Sequence, residues 1–240
     1  MVYRKIKVLV VDDSAVVRHL LKNGLSNDAE IEVVGTAQDP FDATEKIENL
    51  QPDLVVLDME MPKMDGIEFL RQLLPQYPVP VVMFSSFTER GSRITMQALE
   101  LGAVDFLTKA KGDLTDNVNT MMLQLKMKIK MAAKVDVKKM MNSLFSAETR
   151  VQEATGIDLS KVIAMGVSTG GFETVRYILR SLPRTMPGIL ITQHMPQGYT
   201  KTYAERLNDC TELTVIEAQN GDQVLPGKVL VAPGGKQMEI

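Results

Sequence analysis

Short runs rich in valine, isoleucine and leucine alternate with longer amphipathic stretches along this chain. In the first half the apolar runs are IKVLVV (6–11), IEVVGTA (31–37), DLVVLD (53–58), VPVVMFSS (79–86) and VDFLTK (104–109). The stretches between and after them predict helices at 15–27, 40–50, 66–74, 90–101 and 115–134. Strands that are apolar on both faces and alternate with helices are typical of a parallel sheet covered on both sides. We therefore predict an α/β domain with a five-stranded parallel sheet over residues 1–125.

The same alternation resumes after a polar segment. Residues 135–158 are mixed in charge and poor in strand-forming residues, and we predict a linker over 126–157 that could be helical in part. Beyond the linker, strands are predicted at 161–167, 188–193, 212–218 and 228–233, and helices at 171–182 and 198–208. Residues 158–240 therefore predict a second doubly wound α/β domain.

Composition narrows the classes of function that the chain can have. The net charge of the 240 residues is −3, which points away from nucleic acid and anionic membranes as partners. No apolar run has the length needed to cross a bilayer, so we expect no membrane insertion. Cys210 is the one cysteine, which excludes an internal disulfide and fits a reducing cytoplasm.

Polar side chains stand where the predicted strands of the first half end: Asp12, Asp13, Asp58, Ser85 and Lys109. Because parallel strands end at one edge of a sheet, we expect these side chains to converge. Phosphoryl transfer to a carboxylate needs a nucleophilic aspartate, a divalent cation, and a hydroxyl and a positive charge for the remaining oxygens. We therefore predict that Asp58 accepts the phosphoryl group and binds Mg²⁺ with Asp13, supported by Asp12. Ser85 and Lys109 are predicted to bind phosphoryl oxygens.

These residues resemble the response-regulator receiver family. The matching pieces are VVDDS (10–14), the D-x-x-M-P-x-M-D-G run that starts at Asp58, MFSS (83–86) and LGAVDFLTK (101–109). The resemblance implies a flavodoxin-like fold, a metal site completed by the main-chain carbonyl of Glu60, and Phe106 as an aromatic switch. Plain core packing is the alternative interpretation of Phe106. Ala110 stands where the family usually has a cis-proline, so this turn is expected to be trans or strained.

A glycine-rich turn, VIAMGVSTGGFETV, joins the first strand and helix of the second half. Such a turn leaves main-chain N–H groups available near a helix N-terminus. It could bind a phosphate, present Ser168 as a nucleophile, or be an ordinary strand–helix turn. A serine nucleophile needs a base, and the chain has two histidines. His194 follows the next strand at the same predicted edge, whereas His19 is interpreted as a surface residue of the first helix.

The order GVSTGG, ITQHMPQGYT and VLPGKVLVAPGG behind a receiver and a linker resembles the chemotaxis protein-glutamate methylesterase (CheB) family. The resemblance implies that Ser168 is the nucleophile, His194 the base, and Thr169 a residue that lines the site through its main-chain N–H. It implies hydrolysis of glutamyl methyl esters on methyl-accepting chemoreceptors, often with deamidation of receptor glutamines. It also implies phosphorylation of Asp58 by a chemotaxis histidine kinase, which relieves inhibition of the esterase by the receiver.

The family's catalytic aspartate lies beyond the segment that matches residues 228–240, so we expect the second domain to be incomplete and truncated at its C-terminus. Asp209 and Asp222, the aspartates that follow His194, do not match that residue. A second hypothesis follows: a phosphorylation-dependent binding or phosphate-sink protein with a catalytically dead esterase domain. A nucleotide-binding second domain is weaker because no lysine follows the glycine-rich turn. A DNA-binding output is disfavoured because no helix-turn-helix is evident.

Overall fold

A computed structural model of the chain describes residues 4–85, 88–109, 114–145 and 156–240. The chain divides into two compact units, residues 1–141 and 142–240. Each unit contains its own parallel sheet.

The first unit contains a five-stranded parallel sheet with the strand order β2-β1-β3-β4-β5. The elements are β1 (Ile6–Val11), α1 (Ala15–Ser26), β2 (Ile31–Ala37), α2 (Pro40–Leu50), β3 (Leu54–Asp58), α3 (Gly66–Gln76), β4 (Val81–Ser85), α4 (Glu89–Glu100), β5 (Asp105–Thr108), α5 (Leu114–Ala132) and the first part of α6 (Val137–Phe145), which continues past residue 141. The strand order reverses between β1 and β3, the point at which ligands bind in open α/β sheets. The predicted five-stranded sheet is confirmed.

The helices of this unit begin at residues that cap them. Ser14, Asp39, Asp65 and Thr88 are the N-caps of α1 to α4, and each side chain accepts a hydrogen bond from a main-chain N–H in the first turn. The Asp65 carboxylate, for example, accepts from the N–H of Glu68 at 2.8 Å. Each cap contributes about 1 kcal/mol to helix stability. These caps fix where each loop at the carboxyl edge of the sheet ends.

The core of the first unit lies around its three central strands. Every residue of β3 and β4 is buried, as are the last four residues of β1. Burial of such side chains contributes about 1.5–3 kcal/mol for each large aliphatic residue. The loops at the carboxyl edge are thus attached to a rigid support.

The second unit contains a four-stranded parallel sheet with the order β6-β7-β9-β8. Its elements are β6 (Val162–Val167), α7 (Gly171–Ser181), β7 (Gly188–Gln193), α8 (Tyr199–Asn208), β8 (Thr214–Glu217) and β9 (Lys228–Val231). The predicted parallel α/β architecture is confirmed here as well. β6 lies at an edge of the sheet and pairs with β7, and alternate residues of β6 are exposed.

Part of the segment predicted as a linker packs as helix. Ile129 and Ala132 on α5 are fully buried, and Val137 at the start of α6 is 2% exposed. Residues 126–141 therefore pack within the first unit. None of the helices in the described part of the chain combines the length and the apolar character that crossing a bilayer requires.

Candidate functional site

Three carboxylates meet at the carboxyl edge of the first sheet. Val11 at the end of β1 pairs in register with Leu57 on β3, so the next residues, Asp12 and Asp58, are neighbours. One carboxylate oxygen from each of Asp12, Asp13 and Asp58 lies within 4.8 Å of the others. Asp12 and Asp58 are buried, and Asp13 is exposed. The structure thus brings together the three aspartates that the strand ends predicted.

Lys109 reaches this cluster from the end of β5. Its Nζ atom lies 2.8 Å from Oδ1 of Asp58 and 3.0 Å from Oδ2 of Asp12. Burial by itself lowers the pKa of Lys109, but the short ion pairs with Asp58 and Asp12 outweigh it and raise the pKa above its ordinary value. Lys109 therefore carries a positive charge to the point where a phosphoryl group on Asp58 would lie.

The charge of the cluster is not balanced by one lysine. Burial raises the pKa of Asp58 from 3.8 to about 6, contact with Lys109 opposes that rise, and the nearby Asp12 adds to it. Among the described residues, Oδ1 of Asp58 is buried and has no partner in hydrogen-bond geometry, although the Lys109 ammonium is close. Carboxylate oxygens are the donors that hard divalent cations prefer. The donor set therefore fits a divalent metal ion.

Arg18 holds the loop that carries two of these aspartates, and sequence reasoning missed it. Its guanidinium donates to the main-chain carbonyl of Asp12 at 2.7 Å and to that of Asp13 at 2.9 Å. The N–H of Ser14 donates to Oδ1 of Asp12 at 2.9 Å. The available signal was the position of Arg18, one helical turn beyond the Ser14 cap. A contact to main-chain carbonyls leaves no pattern in a sequence.

Ser85 and Phe106 lie on the strands next to Asp58. Ser85 ends β4 and is 1% exposed, and its hydroxyl accepts a hydrogen bond of 3.4 Å from the buried hydroxyl of Thr95 on α4. Phe106 on β5 is 3% exposed. The N–H of Glu60 hydrogen-bonds Asp58 and lowers its pKa, while a metal-binding role for the Glu60 carbonyl stays a prediction. Ala110 lies outside the described residues.

The second unit brings Ser168 and His194 to neighbouring strand ends. Val167 at the end of β6 pairs in register with Gln193 at the end of β7, so Ser168 and His194 come next on each strand. The His194 N–H donates to the Val167 carbonyl at 3.2 Å, which continues the pairing beyond the strands. Adjacent strands lie about 4.8 Å apart. Both side chains are exposed, and each lies where it could approach a substrate.

The turn after Ser168 is closed by glycines and by Gln193, a residue that sequence reasoning missed. The Ser168 carbonyl accepts hydrogen bonds from the Gly171 N–H at 2.8 Å and from Nε2 of Gln193 at 3.2 Å. Gly170 has a φ angle of +75°, which favours glycine. A Cβ atom at Gly171 would lie 2.8 Å from Cβ of Val167. The turn therefore holds the Ser168–Thr169 peptide in one orientation.

The proposed base has no acidic partner within the described part of the chain. No hydrogen bond joins the imidazole of His194 to a carboxylate or to the Ser168 hydroxyl among residues 4–85, 88–109, 114–145 and 156–240. Asp222 pairs with Lys228 at 2.9 Å and accepts from the Gln219 N–H, which fits a turn residue. The pair is arranged by strand register rather than by a preformed hydrogen bond, as is common before substrate binds.

Known families match both units. Residues 8–119 match the response regulator receiver domain, and residues 163–240 match the CheB methylesterase family. A protein-glutamate methylesterase/protein-glutamine glutaminase from Syntrophotalea carbinolica is 48% identical over 99% of this chain and 68% of the relative. A relative of the same description from Pectobacterium atrosepticum is 44% identical over 98% of this chain and 67% of its own length.

A solved structure matches the first unit. The crystal structure of the response regulator domain of Thermotoga maritima CheB has a TM-score of 0.51 and 44% identity to this chain. The match covers 55% of this chain and 99% of that domain.

Proposed function

The chain belongs to the CheB methylesterase family with an N-terminal response-regulator receiver domain, and on this premise we propose a phosphorylation-controlled esterase. Its substrates are methyl esters of glutamate side chains on methyl-accepting chemoreceptors. Relatives at 42–48% identity are described as protein-glutamate methylesterase/protein-glutamine glutaminase, which supports this substrate class. The observation that carries the proposal is the strand register that makes Ser168 and His194 neighbours.

In the receiver, Asp58 is the phosphoryl acceptor. Its carboxylate oxygen attacks the phosphorus atom of a phosphohistidine on a chemotaxis histidine kinase, and the histidine nitrogen leaves. Asp12, Asp13, Asp58 and the main-chain carbonyl of Glu60 would hold Mg²⁺, which offsets negative charge on the phosphoryl oxygens when bound.

Lys109 and Ser85 complete the phosphoryl site. The Lys109 ammonium, already 2.8 Å from Asp58, supplies positive charge to a phosphoryl oxygen. The Ser85 hydroxyl, at the end of the neighbouring strand, donates to another oxygen once a phosphoryl group is present. Movement of Ser85 toward that group leaves room for Phe106 to rotate, which makes Phe106 the switch of the receiver.

In the esterase, Ser168 is the nucleophile. Its Oγ atom attacks the ester carbonyl carbon while His194 takes the hydroxyl proton, and the Thr169 N–H stabilises the oxyanion. The proton then passes from His194 to methanol as the C–O bond breaks, and a water molecule hydrolyses the acyl-serine. With a glutamine substrate, ammonia leaves in place of methanol. The reaction needs no cofactor. It takes place in the cytoplasm, where the chemoreceptor segments that carry the methyl esters lie.

A second candidate has support from one observation. His194 has no acidic partner within the described residues, and loss of the orienting aspartate costs about 10⁴ in kcat in serine proteases. In this alternative the chain is a phosphorylated binding or phosphate-sink protein, and the esterase unit is inactive.

Methanol release separates the two candidates. The full chain is phosphorylated with a small phosphodonor and incubated with a methyl-labelled chemoreceptor. We expect labelled methanol from the wild type and none above background from Ser168→Ala. Ser160→Ala is the matched control because Ser160 is an exposed serine of the same unit that bonds Asp158. Normal phosphate incorporation without methanol from the wild type would favour the second candidate.

A further inference from the structure

We propose that Lys128 and Asp105 position Phe106 in its resting, buried place and link that place to helix α5. The inference rests on the proposed role of Phe106 as the switch of the receiver. Neither Lys128 nor Asp105 belongs to the phosphoryl site, and both lie in the first unit. We call the two residues the Lys128–Asp105 pair.

One carboxylate oxygen joins the switch to the helix. Oδ1 of Asp105 accepts a hydrogen bond of 2.7 Å from the main-chain N–H of Phe106 on β5. The same oxygen lies 2.7 Å from Nζ of Lys128 on α5. Because both contacts share one atom, a shift of the β5 backbone at Phe106 changes the geometry of the ion pair.

The ammonium of Lys128 also faces the ring of Phe106. Its Nζ atom lies 5.9 Å from the ring centroid, within the range of a cation–π interaction. The ring is 3% exposed, so little water competes for this contact. An outward rotation of the ring removes the face that the ammonium contacts. The charge of Lys128 therefore favours the buried position of Phe106 over any displaced position.

The Lys128–Asp105 pair lies in a largely buried position, where holding a charge away from water costs free energy. The side chains of Lys128 and Asp105 are 14% and 9% exposed. A buried ion pair often adds little net stability compared with apolar residues, and in some proteins it favours one arrangement of its surroundings. Here the arrangement it favours includes the backbone and the ring of Phe106. A surface ion pair would not have this effect because solvent screens it.

Lys130 provides a matched comparison on the same helix. It pairs with Asp28 at 3.0 Å and Glu30 at 2.7 Å, and its side chain is 29% exposed. Neither partner belongs to β5. Loss of the Lys130 charge removes one positive charge and two ion pairs from α5 but leaves the contacts of Phe106 intact.

The test follows the ring directly in the full chain. The protein is labelled with 4-fluorophenylalanine, and the Phe106 resonance among the seven phenylalanines is assigned with Phe106→Leu. In Lys128→Gln we expect the fraction of displaced ring, read from the ¹⁹F signal and its solvent isotope shift, to rise about two- to fivefold. Lys130→Gln should match the wild type. Lys128→Arg should restore the buried signal because Arg keeps the charge and stacks on aromatic rings.

A second measurement covers a variant that fails to fold. Asp105→Asn/Lys128→Gln removes both charges and leaves no buried ion alone, and the same rise is expected from it. A Phe106 signal unchanged in both variants, or changed equally in Lys130→Gln, would overturn the inference. The fluorine readout needs no phosphorylation. Failure of Asp58 to incorporate phosphate would therefore count against the proposed function and leave this result to be judged separately.

Discussion

The Asp58 carboxylate lies in a buried site beside the Asp12 carboxylate. Burial and the neighbouring negative charge destabilise its ionised form and raise its pKa to about 6. Between pH 3.8 and pH 6 the folded chain holds a proton that the unfolded chain releases, so folding stability falls as pH rises through this window. Above it the loss is complete and constant. The rise in the pKa of Asp58 from 3.8 to about 6 corresponds to at most ~3 kcal/mol.

Replacing Asp58 by asparagine should therefore stabilise the first unit at pH 8. We expect a gain of ~1–3 kcal/mol in the free energy of unfolding, which shrinks to under ~1 kcal/mol near pH 4, where the folded carboxyl is protonated and the unfolded carboxyl is about half protonated. Urea unfolding with a chelator present measures it at the two pH values. Asp53→Asn, which loses an exposed pair with Arg4, should show no gain. An equal effect of Asp58→Asn at pH 4 and pH 8 would contradict the assigned pKa.

Gln193 is expected to act on catalysis through a peptide group. Its amide and the Gly171 N–H both hold the Ser168 carbonyl. In a trans peptide the following N–H points the opposite way, so these contacts set the direction of the Thr169 N–H. Gln193→Leu should lower kcat for methanol release about tenfold or more with little change in KM.

Gln223→Leu is the control for this substitution because Gln223 is an exposed glutamine of the same unit. It should leave both constants unchanged. A rise in KM with unchanged kcat in Gln193→Leu would show that Gln193 binds substrate instead of orienting the peptide.

Met140 and Met141 on helix α6 pack close to Gly102 in the first unit. Gly102, just after α4, has a φ angle of +109°, and a Cβ atom there would lie 2.7 Å from Sδ of Met141 and 3.0 Å from Cδ1 of Leu74. Gly102→Ala should cost ~1–3 kcal/mol of unfolding free energy and increase hydrogen exchange in α6. A loss in Gly102→Ala has two possible causes, backbone strain at a positive φ angle and the clash with neighbouring side chains. Gly221→Ala separates them because Gly221 has a φ angle of +88° but open space around it. Equal losses in both variants would mean that backbone strain alone is responsible.

The elements that sequence patterns predicted are those whose signal is local. Valine-rich runs located β1, β3 and β4 because a strand buried on both faces must be apolar along its length. Strand ends in turn located the aspartates and Lys109. Helix α6 was missed as a distinct element because its apolar residues Val137, Met140 and Met141 stand among lysines and find their partners only in the folded unit.

Contacts to main-chain atoms explain the other omissions. Arg18 and Gln193 bond carbonyl oxygens, which every residue has, so no side-chain pattern marks them. The pairing of Ser168 with His194 was expected from parallel strands, but its exact register comes from β6 and β7 in the structure. The sequence VIAMGV of β6 is as apolar as that of a central strand, so no side-chain pattern marked it as an exposed strand.

Across the whole molecule, the two units position their proposed site residues in the same way, although the chemistry proposed for each unit differs. Each carries its proposed site residues at the carboxyl ends of adjacent parallel strands, β1 and β3 in the first unit and β6 and β7 in the second. In the first unit those strands are central and buried. In the second, one of the two is an edge strand. The sheet therefore supports the site of the first unit on both sides, and the site of the second unit less completely.

The edge position of β6 has a consequence for heat inactivation. Only β7 pairs with β6 among the described strands, and Val162 on it is 45% exposed. Such a strand can separate while the rest of its sheet stays folded. We expect esterase activity to be lost on heating several degrees below the circular-dichroism midpoint, and phosphate uptake by Asp58 to persist through that interval. A cell at such a temperature would then contain a protein that is still phosphorylated at its receiver but no longer hydrolyses methyl esters.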